Sequence, residues 1–270
     1  MPPDYELQSY WNDRFKDEYH FEWLDDGRET ILPHLRAHLR SQSRANPPHP
    51  PRLLHIGAGT SSLSERIREL YRDVFGDNVN EQVIVNADFA ETLVRRKSEA
   101  EVKRAAEGGG RGMRWMLADV LKWDESKQLL DGQQGLFDVV VDKSTSDSVS
   151  CCGDVSFAFS NRSFHPLLNL HLTPDPSPRD AITLSPVELL ALHLASLVQP
   201  GGLWLALSFS STRFCFLEKQ KAGAPVDPAL YWTIQEVDTV DAPTGLERSD
   251  VHAPAVKHYL YVIRRSDAPL

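Results

Sequence analysis

The run Leu53-Leu54-His55-Ile56-Gly57-Ala58-Gly59-Thr60-Ser61-Ser62-Leu63-Ser64 decides the fold. Arg52 to Ile56 reads as a short buried strand, and Gly57 and Gly59 supply a tight turn where backbone can approach a ligand closely. A helix is predicted over Leu63 to Phe75, with Leu63, Ile67, Leu70 and Val74 on one face. Outward from this unit the alternation repeats. A strand from Gln82 to Ala87 ends at Asp88, and a charged helix over about 90–106 stops at Gly108-Gly109-Gly110. A third strand, Met113 to Ala118, ends at Asp119, and a fourth, Phe137 to Val141, ends at Asp142. An apolar helix, Pro186 to Val198, closes at Gln199-Pro200-Gly201-Gly202 before a fifth strand, Leu203 to Phe209. Two further strands, Tyr231 to Val240 and Lys257 to Arg264, suit an antiparallel hairpin.

This order implies one α/β domain over 1–270: a Rossmann-like, seven-stranded, mostly parallel sheet with helices on both faces and a C-terminal antiparallel hairpin. Residues 1–46 read as an N-terminal helical cap, with Ile31, Leu32, Leu35 and Leu39 at helical spacing. Residues 52–150 form the ligand-binding half and 181–270 the substrate-side half. Residues 151–180, rich in Phe and turn formers such as Pro174-Asp175-Pro176-Ser177-Pro178, read as an insertion rather than a core element.

The chain has 270 residues, 41% hydrophobic and 25% charged, and a formal charge of −9. At that length roughly three quarters of the unfolded surface is buried, so no disulfide or structural metal is needed. The acidic balance argues against a nucleic-acid partner and suits a small-molecule enzyme or one that docks on a basic protein. Cys151, Cys152 and Cys215 make no disulfide framework, and the adjacent pair lacks zinc spacing. None of the histidines pairs with Cys or an acid at metal spacing, so no metal is expected. No apolar run approaches about eighteen residues, and the start, Met1 to Glu6, lacks the basic and apolar regions of a secretion signal. The expectation is a soluble, cytoplasmic protein with no membrane partner.

In an open parallel sheet, ligands bind beyond the carboxyl ends of the strands. Gly57 and Gly59 stand at the first such end. Asp88 at the second can accept hydrogen bonds from two ribose hydroxyls, Asp119 at the third can reach an adenine amino group, and Asp142 at the fourth lies where the reacting group would sit. A dinucleotide fold prefers a third glycine after this turn, where the chain has Ser62, and no basic residue lies between Gly57 and Ser64 to grip phosphate. An adenosine ligand without phosphate fits better: S-adenosylmethionine (SAM), whose cationic sulfonium suits the acidic strand ends. The missing glycine disfavours NAD-dependent oxidoreduction.

The glycine-turn run resembles motif I of class I SAM-dependent methyltransferases, and in particular the branch with an hhxIGxGxSxLS pattern. Phe137-Asp138-Val139-Val140-Val141-Asp142-Lys143-Ser144-Thr145-Ser146-Asp147 resembles that branch's FDxVxDKGTxD motif. Tyr10-Trp11-Asn12-Asp13-Arg14-Phe15 and Phe21-Glu22-Trp23 resemble its YWxxRF and FEW elements. The branch includes lysine and N-terminal methyltransferases of elongation factor 1-alpha. The resemblance implies that Gly57, Ala58, Gly59, Asp88, Phe89, Asp119, Val120 and Asp142 line a SAM site, with Trp11 and Arg14 closing over its methionine end. It further implies that Tyr19, Phe21, Trp23, Lys143 and Phe209 face the acceptor. The chain departs from the branch at His55, where an acid is frequent, and at Ser144, where the motif has glycine.

Methyl transfer from a sulfonium is an in-line displacement that depends on alignment and on a neutral nucleophile. A carboxylate beside an amine would hold it as ammonium, so Asp142 is expected to orient rather than to remove a proton, and no obligatory base is visible. Tyr19, Phe21 and Trp23 can meet the sulfonium or an amine by cation–π contact. Plainer readings stand beside these. Trp11, Phe15, Phe21 and Trp23 also suit cap packing, Lys143 a solvated surface, Asp147 a helix cap, and Arg95 to Glu107 a solvated helix face. Protein lysine, for instance on a basic translation factor, is the acceptor the resemblance implies. A small molecule under a lid formed by 151–180 is the alternative, and a non-catalytic binding module a further one.

Overall fold

The computed structural model describes residues 4–44, 49–130, 135–157, 165–171, 182–221, 223–224, 226–242 and 256–270. Two N-terminal helices, α1 (Gln8–Asp17) and α2 (Ile31–Ser43), precede the first strand, β1 (Leu53–Ile56). Then follow α3 (Leu63–Phe75), β2 (Ile84–Asp88), α4 (Glu91–Arg104), β3 (Arg114–Leu117), the short α5 (Trp123–Ser126) and β4 (Phe137–Lys143). The substrate-side half holds α6 (Thr145–Val149), β5 (Val155–Phe157), α7 (Pro166–His171), β6 (Ile182–Leu184), α8 (Pro186–Leu197), β7 (Val198–Ser208), β8 (Trp232–Asp241) and β9 (Lys257–Arg265).

Seven strands form one sheet in the order β3-β2-β1-β4-β7-β9-β8. The first five pair in parallel, and β9 runs antiparallel between β7 and β8. The register sorts side chains by the period-two rule. Leu53 and Val139 sit side by side, as do Leu54 and Val140. Leu53, Val139, Val141 and Leu205 pack with Ile31, Leu35 and Leu39 of α2 and with Leu63, Ile67 and Leu70 of α3. Leu54, Ile56, Val140 and Trp204 pack on the opposite face with Leu189, Leu190 and Leu194 of α8. Helix α8 is buried nearly all round, and a capping box starts it, with the Ser185 side chain and Glu188 satisfying each other's backbone N–H. A third cluster joins Trp11 and Phe15 of α1 to Leu93 and Val94 of α4 and to Trp115. It seats the N-terminal segment at the carboxyl ends of the strands.

Three expectations are corrected. The charged α4 is solvated along Arg95, Glu99 and Lys103, but its other edge is not. Arg68 and Arg104 pair with Glu101, both also approach the buried Glu81, and Lys97 pairs with Glu65 at 2.9 Å. Charges on α3 and α4 neutralise each other across the helix interface, an arrangement that no single-helix pattern displays. Strand β7 begins at Val198, because Val198 pairs with Phe137 before a register shift leaves Gln199 to Gly202 as an irregularity ahead of the Val139–Leu203 pair. A Cβ on Gly202 would lie 2.4 Å from Val198 Cγ1, so only glycine fits that fold-back. Of the described residues in 151–180, Phe157, Leu167 and Leu168 are buried in the large core cluster, and β5 pairs antiparallel with β6, so these parts of the stretch are core elements. Phe159, Phe164, the Pro174–Pro178 run and most of the β8–β9 connection lie outside the described residues.

Candidate active site

A cavity of about 430 Å³ opens at the carboxyl ends of β1 to β4 and β7, with residues of the N-terminal cap as its outer wall. It spans the point where sheet order reverses between β1 and β4, where open α/β sheets bind ligands.

The glycine turn forms one wall. Gly57 adopts φ +55°, and a Cβ there would lie 2.2 Å from Thr145 Oγ1, whose hydroxyl donates to the Ile56 carbonyl at 2.9 Å. Gly59 adopts φ +57°, and its N–H donates to Asp88 Oδ2 at 3.0 Å. A Cβ on Gly59 would meet nothing closer than Gly57 O at 3.8 Å; since Gly59 lines the cavity, that Cβ would take cavity space. The turn is thus shaped both to fit Thr145 and to leave the cavity clear.

Asp88, 5% exposed, lines the cavity beside it. Its Oδ1 accepts the Ala90 N–H at 2.9 Å, and the carboxylate, with about four acceptor sites, keeps acceptor capacity to spare. Burial pushes this carboxyl up to about 6, against the downward pull of the Ala90, Gly59 and Phe89 N–H groups. Asp119, two residues past β3, lines the cavity as well, with Oδ1 accepting Leu121 N–H at 3.0 Å and Oδ2 3.2 Å from Lys122. Ala58, Phe89 and Val120 complete this half of the lining. A cleared glycine turn beside a carboxylate with spare acceptor capacity fits the adenosyl part of SAM.

The cap contributes Trp11, Phe21 and Trp23 to the wall, β4 contributes Lys143, and Phe209 follows directly on β7. Three expected residues lie elsewhere. Arg14 sits behind the aromatic wall, bound to Glu18 at 2.6 Å, with its guanidinium over the Trp11, Phe21 and Trp23 rings at 5.0–5.6 Å. Tyr19 is 71% exposed and packs its ring on Arg96. Asp142 is fully buried under the floor rather than lining the cavity. Its Oδ1 accepts the N–H groups of Thr145 and Ser146 at 2.9 and 3.1 Å, which fixes the β4–α6 turn. Burial pushes the Asp142 carboxyl up to about 7, and the Asp147 charge adds to the rise.

Lys143 is neither solvated nor free. Its ammonium donates to Glu22 Oε2 and to the Asp25 carbonyl, each at 2.6 Å. Glu22 also accepts from Ser61 Oγ at 2.6 Å and from Ser62 N–H and Oγ at 2.9 and 2.6 Å. Burial works to raise the Glu22 carboxyl, but the hydrogen bonds from Lys143, Ser61 and Ser62 outweigh it and hold the group down at about 2. One residue earlier in the same tie, Glu18 Oε1 accepts from Thr60 Oγ1 at 2.9 Å. Glu22, Glu18 and Thr145 were not singled out from the sequence. Glu22 stands inside the Phe21-Glu22-Trp23 element, and the serine-rich turn was the available signal for a carboxylate partner.

Asp147 is a helix residue that serves as an acceptor node rather than a cap: Arg213 Nε donates to it at 2.9 Å, Ser208 Oγ at 2.5 Å and Phe209 N–H at 3.2 Å. His34, Glu236 and Asp238 bring one ligand-type atom each within 4.8 Å of one another, a grouping invisible to sequence spacing. None of the three lines the cavity, and His34 Nε2 lies 2.9 Å from Asp238 Oδ2. No helix among the described residues is long and apolar enough to cross a membrane.

No protein-family model matches the chain. The methyltransferase srdJ of Neurospora crassa is 27% identical over 262 residues, which cover 97% of this chain and 84% of that protein. Among solved structures, a SAM-dependent methyltransferase from Anabaena variabilis matches with a TM-score of 0.50 at 11% identity, over 98% of this chain and 96% of that one. The magnesium protoporphyrin IX methyltransferase ChlM from Synechocystis PCC 6803, solved with bound SAM, gives 0.47 at 12% identity over 98% of both chains. The likeness to the Anabaena protein speaks to fold alone: the chain has the α/β fold of SAM-dependent methyltransferases.

Proposed function

We propose that this chain, a SAM-dependent methyltransferase, methylates a small, largely apolar acceptor. The observation that carries the reading is the meeting of the Gly57–Gly59 turn and Asp88 in one cavity whose remaining wall is mostly apolar and aromatic. Concave, apolar sites with a few convergent polar groups are the ordinary form of small-molecule sites.

When bound, SAM supplies a methyl group on a cationic sulfonium. Asp88 accepts the ribose hydroxyls with its spare acceptor capacity, and Asp119 and Phe89 hold the adenine. The Trp11, Phe21 and Trp23 wall limits water, which strengthens charge–ring attraction and keeps an acceptor amine uncharged; the amine gains the methyl as S-adenosylhomocysteine leaves, and the proton it then sheds passes to solvent at the cavity mouth. Rate comes from alignment, since Asp142 lies under the floor and Asp147 is committed to Arg213, Ser208 and Phe209.

Protein lysine is the second reading, favoured by the likeness of the Asp142-Lys143-Ser144-Thr145-Ser146-Asp147 run to enzymes of elongation factor 1-alpha. Incubation with tritiated SAM and a lysate of the source cells separates the two. Label in the low-molecular-mass fraction is the expected result; label confined to a protein band would replace the first reading with the second.

A further inference from the structure

Phe209 is the large apolar side chain that the fold leaves most exposed among the described residues lining the cavity: it is 56% exposed and stands at the end of β7, two strands along from the glycine turn that follows β1. An exposed aromatic at a strand end would ordinarily be loose. This one is held from below. Its N–H donates to Asp147 Oδ2 at 3.2 Å, and the preceding Ser208 hydroxyl donates to Oδ1 of the same carboxylate at 2.5 Å. Arg213, paired with Asp147 at 2.9 Å, places its guanidinium 5.4 Å from the centre of the Phe209 ring. Asp147 itself is 4% exposed. A buried carboxylate therefore fixes the backbone beneath the ring and the cation beside it. Unburied aromatic surface, fixed in orientation and bordering an apolar cavity, is a surface shaped for a flat partner.

We propose that Phe209 is a stacking platform for a planar, uncharged aromatic acceptor, with Asp147 and Arg213 as its positioning residues. The proposal rests on the methyl-transfer reading for what happens to that acceptor, but the platform itself is a binding property. Either charge is disfavoured at the ring: Glu6, Asp88, Asp119 and Asp147 line the cavity and oppose an anion, the ammonium of Lys143 is spent on Glu22 and Asp25, and the Arg213 guanidinium beside the ring repels a cation stacked on it. Ring-on-ring contact selects flat molecules over puckered ones of equal size, because only a flat face covers the whole platform.

The test is a pair of probes of matched size, 2-naphthol and its saturated counterpart 2-decalol, titrated into the protein with and without S-adenosylhomocysteine. The expected result is binding of the naphthol and at least ~10-fold weaker binding of the decalol. Covering or uncovering a phenylalanine side chain corresponds to about 10- to 100-fold in affinity. Phe209→Ala should therefore weaken naphthol by ~10-fold or more, and Phe209→Leu should remove the preference for the flat probe. S-adenosylhomocysteine affinity should stay unchanged in both variants, which separates loss of the platform from loss of fold. Equal binding of the two probes, no binding of naphthol, or naphthol affinity indifferent to Phe209→Ala would overturn the proposal. Naphthol binding that depends on Phe209 in a protein that fails to bind S-adenosylhomocysteine would instead remove the methyl-transfer reading and leave the platform standing.

Discussion

Four short hydrogen bonds converge on the Glu22 carboxylate, and one comes from an ammonium that is itself buried. Glu22 and Lys143 lie 121 residues apart, so this contact ties the cap segment to the end of β4 and, through Ser61 and Ser62, to the glycine turn. Charge-assisted hydrogen bonds of this kind are worth roughly twice a neutral one, and removing one partner leaves the other desolvated and unmatched. Glu22→Gln keeps the shape and an acceptor oxygen but loses the charge opposite Lys143. It should raise KM for SAM by ~10-fold or more, with kcat changed far less, and increase amide exchange over residues 18–30. The steady-state KM and kcat, read beside hydrogen exchange, check this; equal KM values and equal protection would show that the cap wall does not depend on the tie. Asp142 carries a different lesson. A carboxylate at a strand end reads from sequence as a ligand contact, yet the two N–H groups of the next turn claimed its oxygen first.

At the scale of elements, legibility followed periodicity. Helix α3 and the hairpin strands β8 and β9 lie where the apolar pattern and turn residues predict them: α3 buries one stripe, and β9 alternates Leu260 and Val262 into one core cluster with Tyr261 and Ile263 into the other. The ends of β1 and β2 are legible for a different reason, as short, wholly buried, mostly apolar runs closed by polar or glycine residues, and with them Gly57, Gly59 and Asp88 in one cavity; β4 runs on through Asp142 to Lys143. Helix α4 presents the solvated face its charges predict along Arg95, Glu99 and Lys103, while its paired edge is invisible in the pattern: Glu81, at 2% exposure, meets arginines from α3 and α4, and pairing between elements leaves no mark in either sequence. The early start of β7 was missed because Pro200-Gly201-Gly202 carries every signal of a helix stop, while the ladder resumes across the irregularity by pairing Val139 with Leu203. Phe209 is expected on the acceptor side from the resemblance, but nothing in the sequence shows that it is held in place. Its fixing by Asp147 and Arg213 depends on contacts over more than sixty residues.

For the whole molecule, buried ionisable groups set how stability varies with pH. Burial holds His55 and His165 down at about 3 and His193 at about 4, so all three are neutral in the fold. Below the ordinary histidine value the unfolded chain takes up three protons that the folded chain refuses, and stability falls as pH falls. Asp88 and Asp142 act in the opposite sense, since at about 6 and about 7 they hold protons in the fold that the unfolded chain has released. Near pH 5 the unfolded chain thus binds about one proton more than the fold, three against two, and stability should drop by about 1.4 kcal/mol per pH unit from these groups. Denaturant titrations at pH 5 and pH 5.5 measure the slope, and His165→Asn should lower it by about one proton's worth, ~1.4 kcal/mol per pH unit; a slope of the opposite sign in the unaltered protein would mean that the buried carboxyls dominate. The central claim, that the glycine turn and Asp88 converge on one adenosyl ligand, is tested most directly by calorimetric titration of S-adenosylhomocysteine. Micromolar binding with no comparable binding of NAD, reduced ~10-fold or more by Asp88→Asn through the loss of a carboxylate acceptor, is the predicted result. An absence of binding to the unaltered protein, or equal affinity in Asp88→Asn, would contradict it.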